Sequence, residues 1–221
     1  MSQEIKIEKK ASEVIHPKTV DEAQEAIRTR QDLSGADLSG MALGNITAVG
    51  SILRKTDLTG ADLSHGLLIN PNFYKAKLHG TAVHNTVILG GDLVKTSLKE
   101  ADLSNSAIVG TDAREASFEG AILRNAGLVS SDLTEADFSG ADLTNARLAG
   151  LDVTDADFTG ADLTGARAYN VNWDQAKVPP TTIPAPLVQL PTWVWSVVLG
   201  GLFGTLALII YSLTRKKQKH G

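Results

Sequence analysis

The sequence predicts an all-β solenoid, a quadrilateral β-helix of about seven coils, with a short capping helix at its N-terminal end and one transmembrane helix after it. Three observations predict this. From Leu33 to Trp173 every fifth residue is apolar, and the register never slips. Around each of these central residues the pentad is alike. A small residue stands two before in most cases (Ala36, Ser51, Thr56, Ala61, Ala76, Thr96, Ala101), Asp often lies between, and Gly or Asn often follows two after. Third, Trp193–Leu213 is a run of 21 residues without a charge.

A period of five fits neither a helix, which repeats near 3.6, nor a strand, which repeats at two. A chain that turns after every short extended segment can bury one side chain per five residues. Gly and Asn at the segment ends suit such turns, because both tolerate positive φ. Four segments close a coil of twenty residues, and stacked coils pair backbone to backbone at about 4.8 Å. The 29 pentads counted by their central residues then make about seven coils and about 34 Å of rise.

Taken in order, residues 1–18 are polar and of mixed charge, with a short strand expected at Glu4–Ile7. They read as a flexible arm and show no secretory or twin-arginine signal. Residues 19–30 predict the capping helix. Thr19 and Glu22 have capping-box spacing, and Ala23, Ala26 and Ile27 form a small apolar stripe. The helix is expected to cover the open end of the first coil, which otherwise exposes core and unpaired strand edge. Residues 31–177 are the solenoid. Gly66, Gly91 and Pro71 break the small-residue pattern, and Pro71 fits only where its missing N–H is not needed. Met41, Ile46, Leu151 and Val171 are large for the slot and lie nearer the ends; Trp173 closes the last layer. Residues 178–192 contain five prolines and predict an extended spacer with neither helix nor ladder strand. Residues 193–213 match the thickness of a bilayer at 1.5 Å per residue. Trp193, Trp195 and Tyr211 stand as interfacial anchors, and Arg215, Lys216 and Lys217 open the basic tail, 214–221. Gly200, Gly201 and Gly204 have the spacing of a helix-packing face, although glycine is common in such helices.

The uninterrupted A(D/N)LXX pattern, as in Ala61-Asp62-Leu63 and Ala161-Asp162-Leu163, resembles the pentapeptide-repeat family over about two thirds of the chain. The resemblance implies a right-handed coil. The central residue and the small residue two before it would point inward, and the other three positions outward. It also implies a mostly non-enzymatic protein. Family members are abundant in cyanobacteria and occur in chloroplasts, so the resemblance points to a thylakoid protein that helps assemble or decorate a photosynthetic or respiratory complex.

Candidate chemistry is sparse. The chain has no cysteine, hence no disulfide framework or thiol nucleophile. His65, His79 and His84 are placed by the square coil on different faces or corners, which leaves no converging metal ligands. The Asp residues before the central positions, among them Asp37, Asp57, Asp62, Asp92, Asp102, Asp112, Asp132, Asp142, Asp152 and Asp162, stack on open ladder faces. They read as solubilising groups that hydrogen-bond to neighbouring turns, not as an acid–base pair. Gly35, Gly40 and Gly60 follow the turn period and form no phosphate loop. The expectation is therefore no enzyme, no cofactor and no metal.

One face differs. The outward residues flanking the centres Ala48, Leu68, Ile88, Ile108, Leu128 and Leu148 are apolar: Val49, Leu67, Ile69, Val87, Leu89, Ala107, Val109, Val129 and Ala149. Strands favour such residues in any case, but the other faces are polar. An apolar stripe of several hundred Å² exceeds what a monomer usually leaves bare. The function expected is a membrane-anchored protein–protein interaction scaffold, or an accessory factor of a membrane complex. Its partners would be the bilayer and a subunit of that complex, a second copy of the chain, or its own tail, with no nucleic acid. The membrane is a thylakoid or plasma membrane. The basic tail favours a cytoplasmic C-terminus, but the lack of an export signal and the late position of the span favour a cytoplasmic or stromal repeat domain, and that orientation is preferred. The alternative that the resemblance implies is a DNA-mimicking topoisomerase-binding protein, which needs a long, strongly acidic rod free in the cytosol, whereas this sequence predicts a membrane span and one face without acid.

Overall fold

The computed structural model describes residues 14–187. The apolar run, the basic tail and Glu4–Ile7 lie outside the described residues. Among the described residues no helix is long and apolar enough to cross a membrane.

Seven three-residue strands, β1 (Thr47–Val49), β2 (Leu67–Ile69), β3 (Val87–Leu89), β4 (Ala107–Val109), β5 (Gly127–Val129), β6 (Arg147–Ala149) and β7 (Arg167–Tyr169), pair in parallel in sequence order. Each residue faces the one twenty further on, as Thr47 faces Leu67 and Val49 faces Ile69. The same register runs round the coil through single bridges such as Asp32 to Ile52, Asp37 to Asp57 and Ala42 to Asp62. The coil thus has four faces. Face 1 is centred on Leu33, Leu53 and Phe73, face 2 on Leu38, Leu58 and Leu78, face 3 on Leu43, Leu63 and Val83, and face 4 on Ala48, Leu68 and Ile88. All of these centres are buried. Only face 4 carries a ladder three residues wide.

The turns explain the period. Every fifth residue from Arg30 to Asn170 has a positive φ, an unbroken series of 29. After faces 1 to 3 the next N–H usually returns to the centre's carbonyl, as from Ala36 to Leu33 (3.0 Å) and from Ala61 to Leu58 (2.9 Å). This is the geometry of a type II turn. The Asp before the centre completes it. Its Oδ1 accepts the N–H two residues on, from Ser34 to Asp32 (2.9 Å), Thr59 to Asp57 (3.1 Å), Ser104 to Asp102 (2.9 Å) and Thr164 to Asp162 (2.9 Å). The expected hydrogen bond of these carboxylates therefore goes to their own turn.

The slot two before the centre is filled in most pentads by alanine or by a hydroxyl turned inward. Thr56, Thr81, Thr86 and Thr96 donate to the carbonyls of Leu33, Leu58, Leu63 and Phe73, each at 2.8 Å, tying one coil to the one before. Phe118, Phe138 and Phe158 stack at 4.6 and 5.0 Å, and Trp173 closes the column edge-on at 5.4 Å. Pro71 lies in the slot after face 4. In that column no N–H of Ser51, Gly91, Thr111, Ser131 or Leu151 reaches a backbone carbonyl, so a ring in place of the N–H loses no bond.

Both ends are covered. Helix α1 spans Val20–Arg28, shorter at each end than the 19–30 expected, and buries Ala23, Ala26 and Ile27. Thr19 Oγ1 accepts the N–H of Glu22 (3.2 Å), but the Glu22 carboxylate accepts from Lys18 and not from Thr19. The end of the supposed arm is tied down: Val14 bridges to Asp32, and the Ile15 N–H donates to the Asp32 carbonyl at 2.9 Å. At the other end the chain departs from expectation. A 3₁₀ turn at Trp173–Gln175 ends the pentads, Val178 bridges to Asp157, and β8 (Ala185–Pro186) pairs with β7. Residues 178–186 of the proline-rich stretch are therefore held to the solenoid at both of their ends. An edge position with no further strand to serve tolerates Pro186. The prolines do exclude pairing at face 3. Residues 179–184 cross there without a ladder bond and leave a cleft of about 440 Å³ between Leu163 and Ile183.

Two predictions follow from the turns. Ser39, Thr59, Thr154, Thr159 and Thr164 donate to Asp37, Asp57, Asp152, Asp157 and Asp162 through side chain and backbone, and hold these carboxyls below their ordinary range. Their contribution is present above the unfolded carboxylate pKa and is lost as pH falls through the lowered folded values. The melting temperature is expected to be level at neutral pH and to fall below about pH 4, as followed by circular dichroism. A melting temperature unchanged to pH 2.5 contradicts it, on the scale of about 4 for a free Asp.

The second concerns Gly91, at φ +98, where an added Cβ would stand 2.5 Å from the Pro71 carbonyl oxygen and 2.6 Å from its Cδ. Gly91→Ala is expected to lower unfolding free energy by about 3 kcal/mol. Pro71→Ala in the same chain should return only part of it, as measured by urea denaturation.

Candidate docking face

The nine apolar residues expected on one face do lie together on face 4. Leu67, Val87 and Ala107 form one column, continued by Gly127, and Val49, Ile69, Leu89, Val109, Val129 and Ala149 form the other. In each strand the middle residue is buried and its two neighbours point out. The stripe is bounded at one end by Thr47 and at the other by Arg147, Arg167 and Tyr169. Neither arginine has an ion-pair partner among the described residues.

Two features were not visible in the pentad pattern. The stripe is less bare than expected: only Val49 is more than a third exposed, at 37 %, and the other eight are half-buried against their stacked neighbours. Face 4 is also the face that forms a continuous sheet, which itself favours Val, Ile and Leu. Its turns lack the bond back to the centre's carbonyl, and no Asp precedes any of its centres. The missing Asp and the apolar flanks are one signal, readable in sequence once the carboxylate is understood as part of the turn.

The other three faces are polar for the same reason. Several of their acids are paired across coils or turns: Asp57 with Lys77 (3.0 Å), Glu115 with Lys95 (3.1 Å), Asp112 with Arg114 (2.8 Å) and Asp142 with Arg124 (2.5 Å). Such exposed pairs contribute little individually to stability.

The histidines fall differently from the expectation. His65 and His84 meet at one corner, their ring centroids 5.2 Å apart, and the Asn85 amide lies 3.4 Å from His65 Nε2 and 3.0 Å from His84 Nδ1. They converge because both occupy the turn after face 3, in successive coils. His79 lies elsewhere, 3.8 Å from Glu100. Among the described residues no group of three or more His, Asp or Glu side chains could hold a metal ion. The anchor residues Trp193, Trp195, Tyr211, Arg215, Lys216 and Lys217 lie outside the described residues.

No curated protein matches the chain. Among solved structures, HetL from the cyanobacterium Nostoc, a pentapeptide repeat protein involved in heterocyst differentiation regulation, is 21 % identical over 76 % of this chain and 99 % of its own, with a TM-score of 0.28. Full-length QnrB1, a plasmid-mediated fluoroquinolone resistance protein, is 21 % identical over 75 % of this chain and 96 % of its own, with a TM-score of 0.29. A pentapeptide repeat protein of the Arabidopsis thaliana thylakoid lumen is 29 % identical over 63 % of this chain and 72 % of its own, with a TM-score of 0.27. The family profile described as pentapeptide repeats matches in eight copies, over residues 32–68, 51–88, 84–125, 101–140 and 136–172. Those segments take in well over half of the sequence, and they coincide with the coils: the chain belongs to the pentapeptide-repeat family.

Proposed function

We propose that the chain is a non-enzymatic interaction scaffold that docks a partner protein on face 4 and is held at a membrane by residues 193–213. The observation that carries the docking role is the pair of uncharged outward columns from Val49 to Val129, set on a solenoid whose other faces carry Asp. A sheet face needs no charge at its flanks, yet Thr, itself a strand former, would keep it wetted. Leu67, Ile69, Val87 and Leu89 instead supply apolar area at the centre of the face. The proposed partner is a subunit of a membrane complex in a thylakoid or plasma membrane, with the repeats on the cytoplasmic or stromal side. Lys77, Arg114 and Arg124 partly neutralise the acid columns, which weighs against a DNA-like surface. Failure of the purified protein to inhibit DNA supercoiling is the matching expectation.

The anchor is tested first. The protein should remain with membranes through high-salt and alkaline carbonate washes; release by carbonate rules out the span. The docking face is tested by Leu89→Glu with Val109→Lys. These two outward residues face each other across β3 and β4, so the new charges can pair, as Lys77 does with Asp57, and folding should survive. Recovery of the partner from gently solubilised membranes should fall at least about tenfold, the scale of a central interface residue. Ile122→Lys, stacked on Asp102 on another face and with no turn bond from its side chain, should leave it unchanged. Equal recovery with the face-4 variant, or loss only with Ile122→Lys, places the docking surface elsewhere.

A further inference from the structure

The positive-φ residues are not alike at the four corners. After face 2 the column reads Gly40, Gly60, Gly80, Glu100, Gly120, Gly140, Gly160. After face 3 it reads Asn45, His65, Asn85, Asn105, Asn125, Asn145, Gly165, and after face 4 Gly50, Asn70, Gly90, Gly110, Ser130, Gly150, Asn170. Glycine and asparagine take this conformation with least strain. After face 1, beyond Gly35, neither appears: the column is Lys55, Lys75, Lys95, Glu115, Glu135, Asp155, at φ between 56 and 59°. Six successive coils place a charged side chain where the turn favours a neutral one, and the sign changes once, at the middle.

The surroundings follow the division except at Arg114, a cation in the acidic half that Asp112 and Asp132 hold. Arg54 adds a cation beside Lys55, and Tyr74 lies between Arg54 and Lys75, at 5.4 and 5.1 Å from ring centroid to charge. Face 1 carries Asp92, Asp112, Asp132 and Asp152 before its later centres, but Ile52 and Asn72 in the same ladder beside the basic residues. Asn72 still accepts the N–H of Tyr74 at 3.1 Å, so the turn is kept and the negative charge is not. Arg54, Lys55 and Lys75 form no ion pair among the described residues, whereas Lys95 and Glu115 pair at 3.1 Å where the sign changes.

We propose that this corner is a homodimer interface on which a second copy of the chain lies antiparallel. A two-fold axis perpendicular to the solenoid, passing between Lys95 and Glu115, brings Lys55 opposite Asp155, Lys75 opposite Glu135 and Lys95 opposite Glu115. All six positions then meet the opposite charge, as an isologous interface requires of a single surface. A parallel pair would set like against like at every coil. At the centre the two Lys95–Glu115 pairs join into one network of four charges. A convex corner buries little area, so the dimer is weak and reversible, and its strength comes from charges that salt screens. The pairing leaves face 4 uncovered and does not rest on the docking or membrane reading.

The absence of cysteine makes the register directly readable. In the full-length protein in detergent micelles, Lys95→Cys places two thiols about 5 Å apart along the axis, and Lys55→Cys about 24 Å apart, at one ladder spacing per coil. Mild oxidation at low salt should give at least tenfold more disulfide-linked dimer from Lys95→Cys than from Lys55→Cys, and the product should decline as salt rises. Two charge-uniform variants complete the test. Lys55→Glu/Lys75→Glu/Lys95→Glu and Glu115→Lys/Glu135→Lys/Asp155→Lys should each be monomeric alone and should associate when mixed, as read by sedimentation velocity, with wild-type circular dichroism. Equal cross-linking at positions 55 and 95, no cross-linked dimer from Lys95→Cys, or two variants that fail to associate while remaining folded would each overturn the proposal.

Discussion

The whole structure depends on one backbone constraint, a left-handed residue at every fifth position without a miss from Arg30 to Asn170. That residue turns the chain by a quarter of a coil. It sets the twenty-residue register, and the register lets Leu face Leu, Thr reach the carbonyl of the coil before, and Phe stack on Phe. Because an L-residue there carries about 1–2 kcal/mol of strain unless it is Gly or Asn, the packing behind each corner must hold it. The central side chains do so: nearly all are buried to within a few per cent.

Much of this was legible because the period of five states the geometry directly. The inward pair of each pentad, the capping helix with Ala23, Ala26 and Ile27, and Trp173 as the closing ring all follow from patterning and burial. What the pattern hid lies one level down. A pentad gives four equivalent faces, and the chain makes one of them different by changing its turn. The expected stripe, Val49 to Ala149, therefore lies on the face whose sheet independently favours such residues, and it is half-buried by its own columns. The carboxylates, expected to bond to neighbouring turns, accept from their own turn instead.

The remaining misses concern pairs that only stacking brings together. His65 and His84 are nineteen positions apart, one short of a coil, which the square scheme put on separate corners although both belong to the same turn. The prolines near the C-terminal end predict no ladder strand throughout. That holds from 179 to 184, where the cleft beside Leu163 opens, and fails at Pro186, whose missing donor faces no strand. In both places the deciding term is what lies above or below in the stack.

The two turn chemistries have a consequence for how such a chain can change length. Removing or inserting a single pentad would leave every central residue inward, and the coil would close as before. Downstream of the edit, however, all side chains would be carried round by a quarter turn. Asp-bearing segments would arrive on the broad sheet, and Leu67- or Val87-like segments would arrive at corners that need a carboxylate acceptor. The apolar columns and the charged corner would both be cut and offset by one face. Only whole coils of twenty residues preserve surface as well as core, so the quantum of tolerated change in this molecule is four times its repeat.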